Sequence, residues 1–202
     1  MILYHPALSI HKVAERFAPY AERLQAIYTA MDAAYSAIAE QYRFVCSGCE
    51  DSCCRTLFYH HTYVEWFYLH QGWETMALRQ QSALQSRAKE FCRQVETDAP
   101  LKEERLRMCP LNNGGLCGLY AYRPMICRLH GIPHSLRRPD GRQTVGPGCD
   151  VFYRQCAARS DAILERTPHY TALAALERDF RRATGLSDRL KLTVAEMIVR
   201  FT

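Results

Sequence analysis

Four cysteines fall within nine residues, Cys46-Ser-Gly-Cys49-Glu-Asp-Ser-Cys53-Cys54. Four within nine residues is not the scatter of buried thiols filling a core, and the clustering points to metal ligation. Two thiolates separated by two residues in a tight turn face one ion, the geometry shared by zinc knuckles and iron–sulfur loops. Gly48 supplies the backbone freedom that such a turn needs. Cys53 and Cys54 are adjacent, and neighbouring side chains diverge on an extended backbone. The pair therefore suits two sites, a bridged site or a larger cluster better than one tetrahedral ion. A second set follows: Cys109-Pro110, Cys117 after Gly114-Gly115, Cys127-Arg128, and Cys149 after Gly148. Cys92 sits in a helical pattern between Phe91 and Val95 and reads as core filler. Cys156 lies seven residues after Cys149, on the same face if both are helical. Leaving these two out, the candidate metal ligands are Cys46, Cys49, Cys53, Cys54, Cys109, Cys117, Cys127 and Cys149. They suffice for two four-ligand sites or one larger assembly.

The redox compartment decides whether clustered thiols become ligands or disulfides. The first residues, Met1-Ile2-Leu3-Tyr4-His5-Pro6, do not read as a secretory leader. No run reaches the roughly 18 apolar residues of a membrane span. The expectation is a cytoplasmic protein without membrane contact, in a reducing environment where cysteine clusters bind metal or do chemistry. At 202 residues the chain can build a core without covalent staples, and it reads as a single domain over 1–202, with the cysteine-bearing region at about 43–150. The net charge is +5. Lys102, Arg105, Arg107, Arg123, Arg128, Arg137, Arg138 and Arg142 stand against Glu103, Glu104, Asp140 and Asp150 in the stretch holding the second cysteine set. Four thiolates on one divalent ion leave a net charge of about −2, and the arginines read as its counterweight. No Lys/Arg-dense run or recognition motif accompanies them, so nucleic acid is not the expected partner. A protein partner stays open.

The rest of the chain reads as helix. Leu24, Ile27, Met31, Ala34 and Ile38 recur at three- and four-residue steps, with Tyr28 and Tyr35 beside them, inside a helix expected from about Ile10 to Tyr42 with Pro19 as a break or first-turn residue. A second helical region runs from about Thr62 to Glu96. Thr62-x2-Glu65 fits a capping box at its start, and Gly72 is a point where it kinks or divides. Residues 97–150 hold six of the nine prolines and seven of the ten glycines, so turns dominate there. Short strand pairs are expected near Leu116–Tyr120 and Arg142–Val145. Asp150 to Thr184 reads as helical with a boundary at Pro168 and a stop at Gly185, and Leu173, Leu176 and Phe180 make a buried face. A last helix is expected from Ser187-Asp188 to Phe201. The fold class expected from this pattern is mainly α: a helical bundle enclosing an irregular, cysteine-rich metal-binding knot with at most short strands.

The pattern Cys46-x2-Cys49-x3-Cys53-Cys54, then Cys109-Pro110-Leu111, Cys117 and Tyr120-x2-Arg123-Pro124-x2-Cys127-Arg128, resembles the CxxCxxCC or YkgJ-like family of zinc- or iron-chelating proteins. The likeness spans about residues 43–150. It implies a metal-chelating cysteine cluster without settling the metal. A similar cluster occurs in flagellin lysine N-methylases, where an iron–sulfur cluster is implied. This chain departs from the family in placing three residues, Glu50-Asp51-Ser52, between its second and third cysteines, and in the order Gly146-Pro147-Gly148-Cys149. The cofactor expected is zinc or iron, the latter also as an iron–sulfur cluster. The functional readings are a metal-binding protein, an iron–sulfur-dependent enzyme that modifies a protein side chain, and a metal store or chaperone. His60, His61, His130, His134, Glu50 and Asp51 are secondary candidates for ligands. Arg128 reads either as a donor to sulfur or as a paired structural cation. No phosphate-cradling loop, Ser/His/Asp set or HExxH is present, which excludes the familiar hydrolase, kinase and dehydrogenase signatures.

Overall fold

The computed structural model describes residues 13, 16–46, 53–97, 108–156 and 161–201. Helix α1 spans Ala18–Tyr42, with Pro19 in its first turn, where a missing N–H is harmless. It ends on Arg43, whose left-handed φ of 52° lets its N–H reach the carbonyls of Ala39 and Glu40. The expected stripe is real, but its centre lies on the aromatic side. Leu24, Tyr28, Met31, Ala39 and Tyr42 are buried, while Ile27, Ala34, Tyr35 and Ile38 pack at the margin.

The second helical region divides into α2 (Tyr63–Glu74) and α3 (Leu78–Thr97). The break falls at residues 75–77, not at Gly72. Gly72 stays inside α2 because the Tyr122 ring packs where a side chain would stand. Thr62 is the N-cap residue of α2 as expected, but it does not cap through its side chain. Its hydroxyl donates to Glu65 Oε2 at 2.6 Å instead. A full capping box forms elsewhere, between Thr193 and Glu196, and starts α7 (Val194–Val199). The last helix is therefore shorter than its apolar periodicity suggests.

Between α3 and the C-terminal helices the chain folds into two small sheets. Strands β1 (Asn112–Asn113) and β2 (Leu116–Cys117) form a hairpin. A 3-10 turn at Tyr120–Tyr122 leads to the four-residue helix α4 (Met125–Arg128). Strands β3 (His134–Arg137) and β4 (Gln143–Gly146) form a second antiparallel hairpin. After α5 (Asp150–Cys156), the two-residue strand β5 (Leu164–Glu165) joins the other side of β3 in parallel, giving the order β4-β3-β5. Helix α6 (Thr167–Thr184) follows and stops on Gly185, φ 75°, where the expected glycine stop places it.

These sheets correct the expected fold class. Helices dominate, but the protein is a mixed α/β structure and not a helical bundle around a metal-binding knot. Among the described residues, no three His, Cys, Asp or Glu side chains are arranged so that they hold a metal ion. The physical reason lies in the backbone. The glycine- and proline-rich turns of 108–149 fold the chain back on itself as hairpins, and ladder hydrogen bonds satisfy the backbone N–H and C=O groups there without a metal.

The apolar core has two parts. In the larger, α1, α2 and α6 converge on Phe180, which contacts Phe17, Tyr20 and Phe67 in edge-on or near edge-on aromatic pairs. In the smaller, Leu84 and Ala88 of α3 meet Val194, Ala195, Met197 and Ile198 of α7. Trp66 borders both, its indole N–H donating to Met197 O at 3.2 Å.

One buried carboxylate makes this core sensitive to pH. Glu177 of α6 accepts from the backbone N–H of Val64 at 3.1 Å, and burial pushes its carboxyl above the usual 4.5. A carboxyl raised on folding stabilises the protein below its unfolded value, and that contribution is lost as pH rises through the folded value. Glu177→Gln carries no charge at any pH. The variant should therefore gain stability relative to the parent chain as pH rises from about 4.5 to about 7. Urea unfolding of both proteins across that range measures the difference, and a gap that does not change with pH overturns the expectation.

Candidate functional site

The cysteines are brought together by three segments remote in sequence. Cys53 and Cys54 lie in the turn before α2. Cys109 lies before β1, and its N–H donates to Cys54 O at 2.7 Å, tying the two loops together. Cys127 stands in α4, the short helix built by the Arg123-Pro124 turn. Glu65, on α2, holds that helix: its Oε1 accepts from Met125 N at 2.7 Å and from Tyr28 Oη at 3.3 Å. The Glu65 carboxylate thus sits at the N-terminus of the helix that carries Cys127.

The thiols meet in pairs. Cys53 is hydrogen-bonded to Cys127 and to Cys54, and Cys109 to Cys54. Cys117, at the end of β2, lies within electrostatic reach of Cys54 and Cys127. The described cysteines are all free thiols. Hydrogen bonding to the neighbouring thiols, and then burial, drives the Cys53 thiol far above its ordinary value, and Cys109 is raised in the same way. Burial pushes Cys117 up to about 11. A nucleophilic or redox-active cysteine needs the opposite shift. In so close a group each proton lost would place a negative charge beside the next sulfur. A bound cation relieves that constraint by displacing the protons.

Beside the thiols is a cavity of about 30 Å³. Cys53, Cys54, Cys109 and Cys127 line it together with His60, Phe58, Phe91, Val194 and Ala195. It has room for a guest of at least atomic size. His60 is 3% exposed, and its Nε2 has no hydrogen-bond partner. Burial holds its imidazole below the usual 6.5.

The other candidates fall elsewhere. Cys49, Glu50 and Asp51 lie outside the described residues. Cys46 is exposed. Cys149 is buried, and its Sγ accepts from Phe152 N at 3.4 Å, which caps the start of α5. A side chain at Gly131 would meet Tyr35 Oη at 3.2 Å and Cys149 Sγ at 3.9 Å, so hydroxyl and thiol face one spot. Cys46 acts electrostatically on the same tyrosine. Cys156 is core filler in the larger apolar cluster, and Cys92 borders the smaller one. His61 Nδ1 pairs with Leu190 O at 3.1 Å and His134 Nδ1 with Ile132 O at 3.4 Å.

Arg128 is a structural cation. Its guanidinium pairs with Asp32 at 2.7 Å, donates to the carbonyls of Arg123 and Ala121, and lies 3.9 Å over the Tyr28 ring. Arg123 stacks on Tyr120 at 3.6 Å and reaches Asp32 at 3.5 Å. Sequence reasoning missed Asp32 and Glu65 as supports of the site. Glu65 left a trace in the Thr62-x2-Glu65 spacing; Asp32 left none, being one exposed-looking acid on a long helix.

The donor set fits a thiophilic metal in its chemistry. Five soft sulfur donors are grouped, and a buried imidazole nitrogen without a partner stands at their edge. The sulfurs touch pairwise but do not converge on one point, so a bound ion would draw side chains inward. No family model, no curated protein and no solved structure matches the chain.

Proposed function

We propose that the chain binds zinc or iron, the iron as an ion or an iron–sulfur cluster, through thiolates centred on Cys53, Cys54, Cys109, Cys117 and Cys127. The observation that carries this reading is the run of paired thiols Cys127, Cys53, Cys54 and Cys109, drawn from three separate segments into one partly buried group. Core filling does not require cysteines from distant loops to meet each other. No helix among the described residues is long and apolar enough to cross a membrane. Together with the free thiols, this supports a reducing compartment, the cytoplasm, as the place of action.

Elemental analysis and a visible spectrum of protein purified without oxygen test the reading. Stoichiometric zinc in a colourless protein supports a mononuclear thiolate site, and iron with labile sulfide and a broad brown absorbance supports a cluster. Cys53→Ser and Cys127→Ser should each lose most of the bound metal, while Cys92→Ser, outside the group, should retain it. Metal-free, well-folded protein with titratable thiols, or equal metal content in all three variants, overturns the proposal.

A further inference from the structure

The buried nitrogen of His60 needs a partner that the protein does not provide. A polar atom withdrawn from water without a hydrogen bond costs on the order of 1–3 kcal/mol, so folded proteins rarely leave one without a ligand, ion or water. His60 does not reach its position by chance of packing. Its N–H donates to Leu192 O at 2.7 Å and its carbonyl accepts from Leu192 N at 3.0 Å, an isolated antiparallel bridge that pins the residue against the segment leading into α7. The ring is thereby held on the wall of the cavity lined by Cys53, Cys54, Cys109 and Cys127.

We infer that His60 supplies a nitrogen donor to the metal bound by this thiol group, so that the site is a mixed thiolate–imidazole site and not an all-sulfur one. This rests on the metal-binding reading above. Charge supports it independently. Four thiolates on a divalent ion leave a net charge of about −2, whereas three thiolates and one neutral imidazole leave about −1. The cavity is also walled by Phe58, Phe91, Val194 and Ala195, which cannot solvate an anion. A trapped water is a poorer explanation, since a buried water needs two to four good polar partners and this cavity offers mainly weakly bonding sulfur. Of the candidate histidines, His61 is turned to Leu190 and His134 to Ile132, His130 packs edge-on against Phe58, and His60 alone lines the cavity among the described residues.

The test uses the full chain loaded with cadmium(II), an NMR-active stand-in for zinc, after labelling its histidine rings with nitrogen-15. Scalar coupling between cadmium and one imidazole nitrogen, absent from His60→Ala, is the expected result. The parent chain alone reports whether an imidazole is bound, and coupling that persists in His60→Ala assigns it to another histidine and overturns the role of His60. Cobalt(II) titration gives a second reading: His60→Ala should bind about 100-fold more weakly or worse, with shifted visible bands. Bound cadmium without coupling to any imidazole overturns the role of His60 and leaves the thiolate site standing. Failure of the parent chain to bind cadmium or cobalt overturns both.

Discussion

Glu65→Ala is expected to destabilise the protein by about 4 kcal/mol, a large fraction of the roughly 5–15 kcal/mol that holds a domain together. The side chain is 3% exposed. Three donors converge on it: Tyr28 Oη from α1, Thr62 Oγ1 at the start of α2, and Met125 N at the start of α4. Alanine leaves all three without an acceptor, at about 1–3 kcal/mol for each that water does not reach. Glu65→Gln should cost only about 1 kcal/mol. Its carbonyl keeps the bonds to Tyr28 and Met125, and the Thr62 hydroxyl can turn to accept from the new amide. Urea unfolding followed by circular dichroism measures both. The alanine variant should also bind metal more weakly per folded molecule, because Glu65 is a positioning residue for the helix that carries Cys127. Equal costs for the alanine and glutamine variants would show that the carboxylate's bonds contribute little.

Arg128→Leu is expected to cost about 3–4 kcal/mol, and Asp32→Asn less than about 1 kcal/mol. The two differ because the ion pair is not what matters. Asp32 is 43% exposed in its side chain and the Arg128 side chain 5%, so one end of the pair is already solvated and its attraction is screened. The loss on removing Arg128 comes from the carbonyls of Ala121 and Arg123, which it satisfies, and from its packing over Tyr28. Arg128→Lys should recover less than half of the loss, since a point charge cannot serve an aspartate, two carbonyls and a ring at once. Thermal unfolding of the three variants settles the order. An Asp32→Asn cost equal to that of Arg128→Leu would restore the ion pair as the main term.

Local pattern carried much of the fold. The three- and four-residue spacing of Leu24, Ile27, Met31, Ala34 and Ile38 marks α1 because a helix repeats every 3.6 residues whatever it packs against. Gly185 marks the end of α6 because a left-handed terminal residue favours glycine. The short strand pair expected near Arg142–Val145 is found there, with β4 paired to β3. Strand β5 was not legible. Two residues have no measurable period, and their pairing with β3 is parallel across a helix. The start of α2 shows a subtler limit. Thr62 and Glu65 have capping-box spacing, yet Glu65 is engaged by Tyr28 and Met125 from two other elements, and the local motif yields to them.

For the site, composition alone supplied the donors: ten cysteines, four of them within nine residues, are soft ligands that no rearrangement of the chain can alter. Only the tertiary structure decided which of them meet. Cys53, Cys54, Cys109 and Cys127 come together because hydrogen bonds from Cys109 N to Cys54 O and from Met125 N to Glu65 fasten three distant segments. Cys149, of the same residue type and in the same motif, is turned to the N-terminus of α5. His60 reaches the cavity through a bridge to Leu192, more than a hundred residues along the chain. Spacing constrains neighbours over a few residues, whereas a donor group assembled from remote segments depends on the packing between them, which no local pattern encodes.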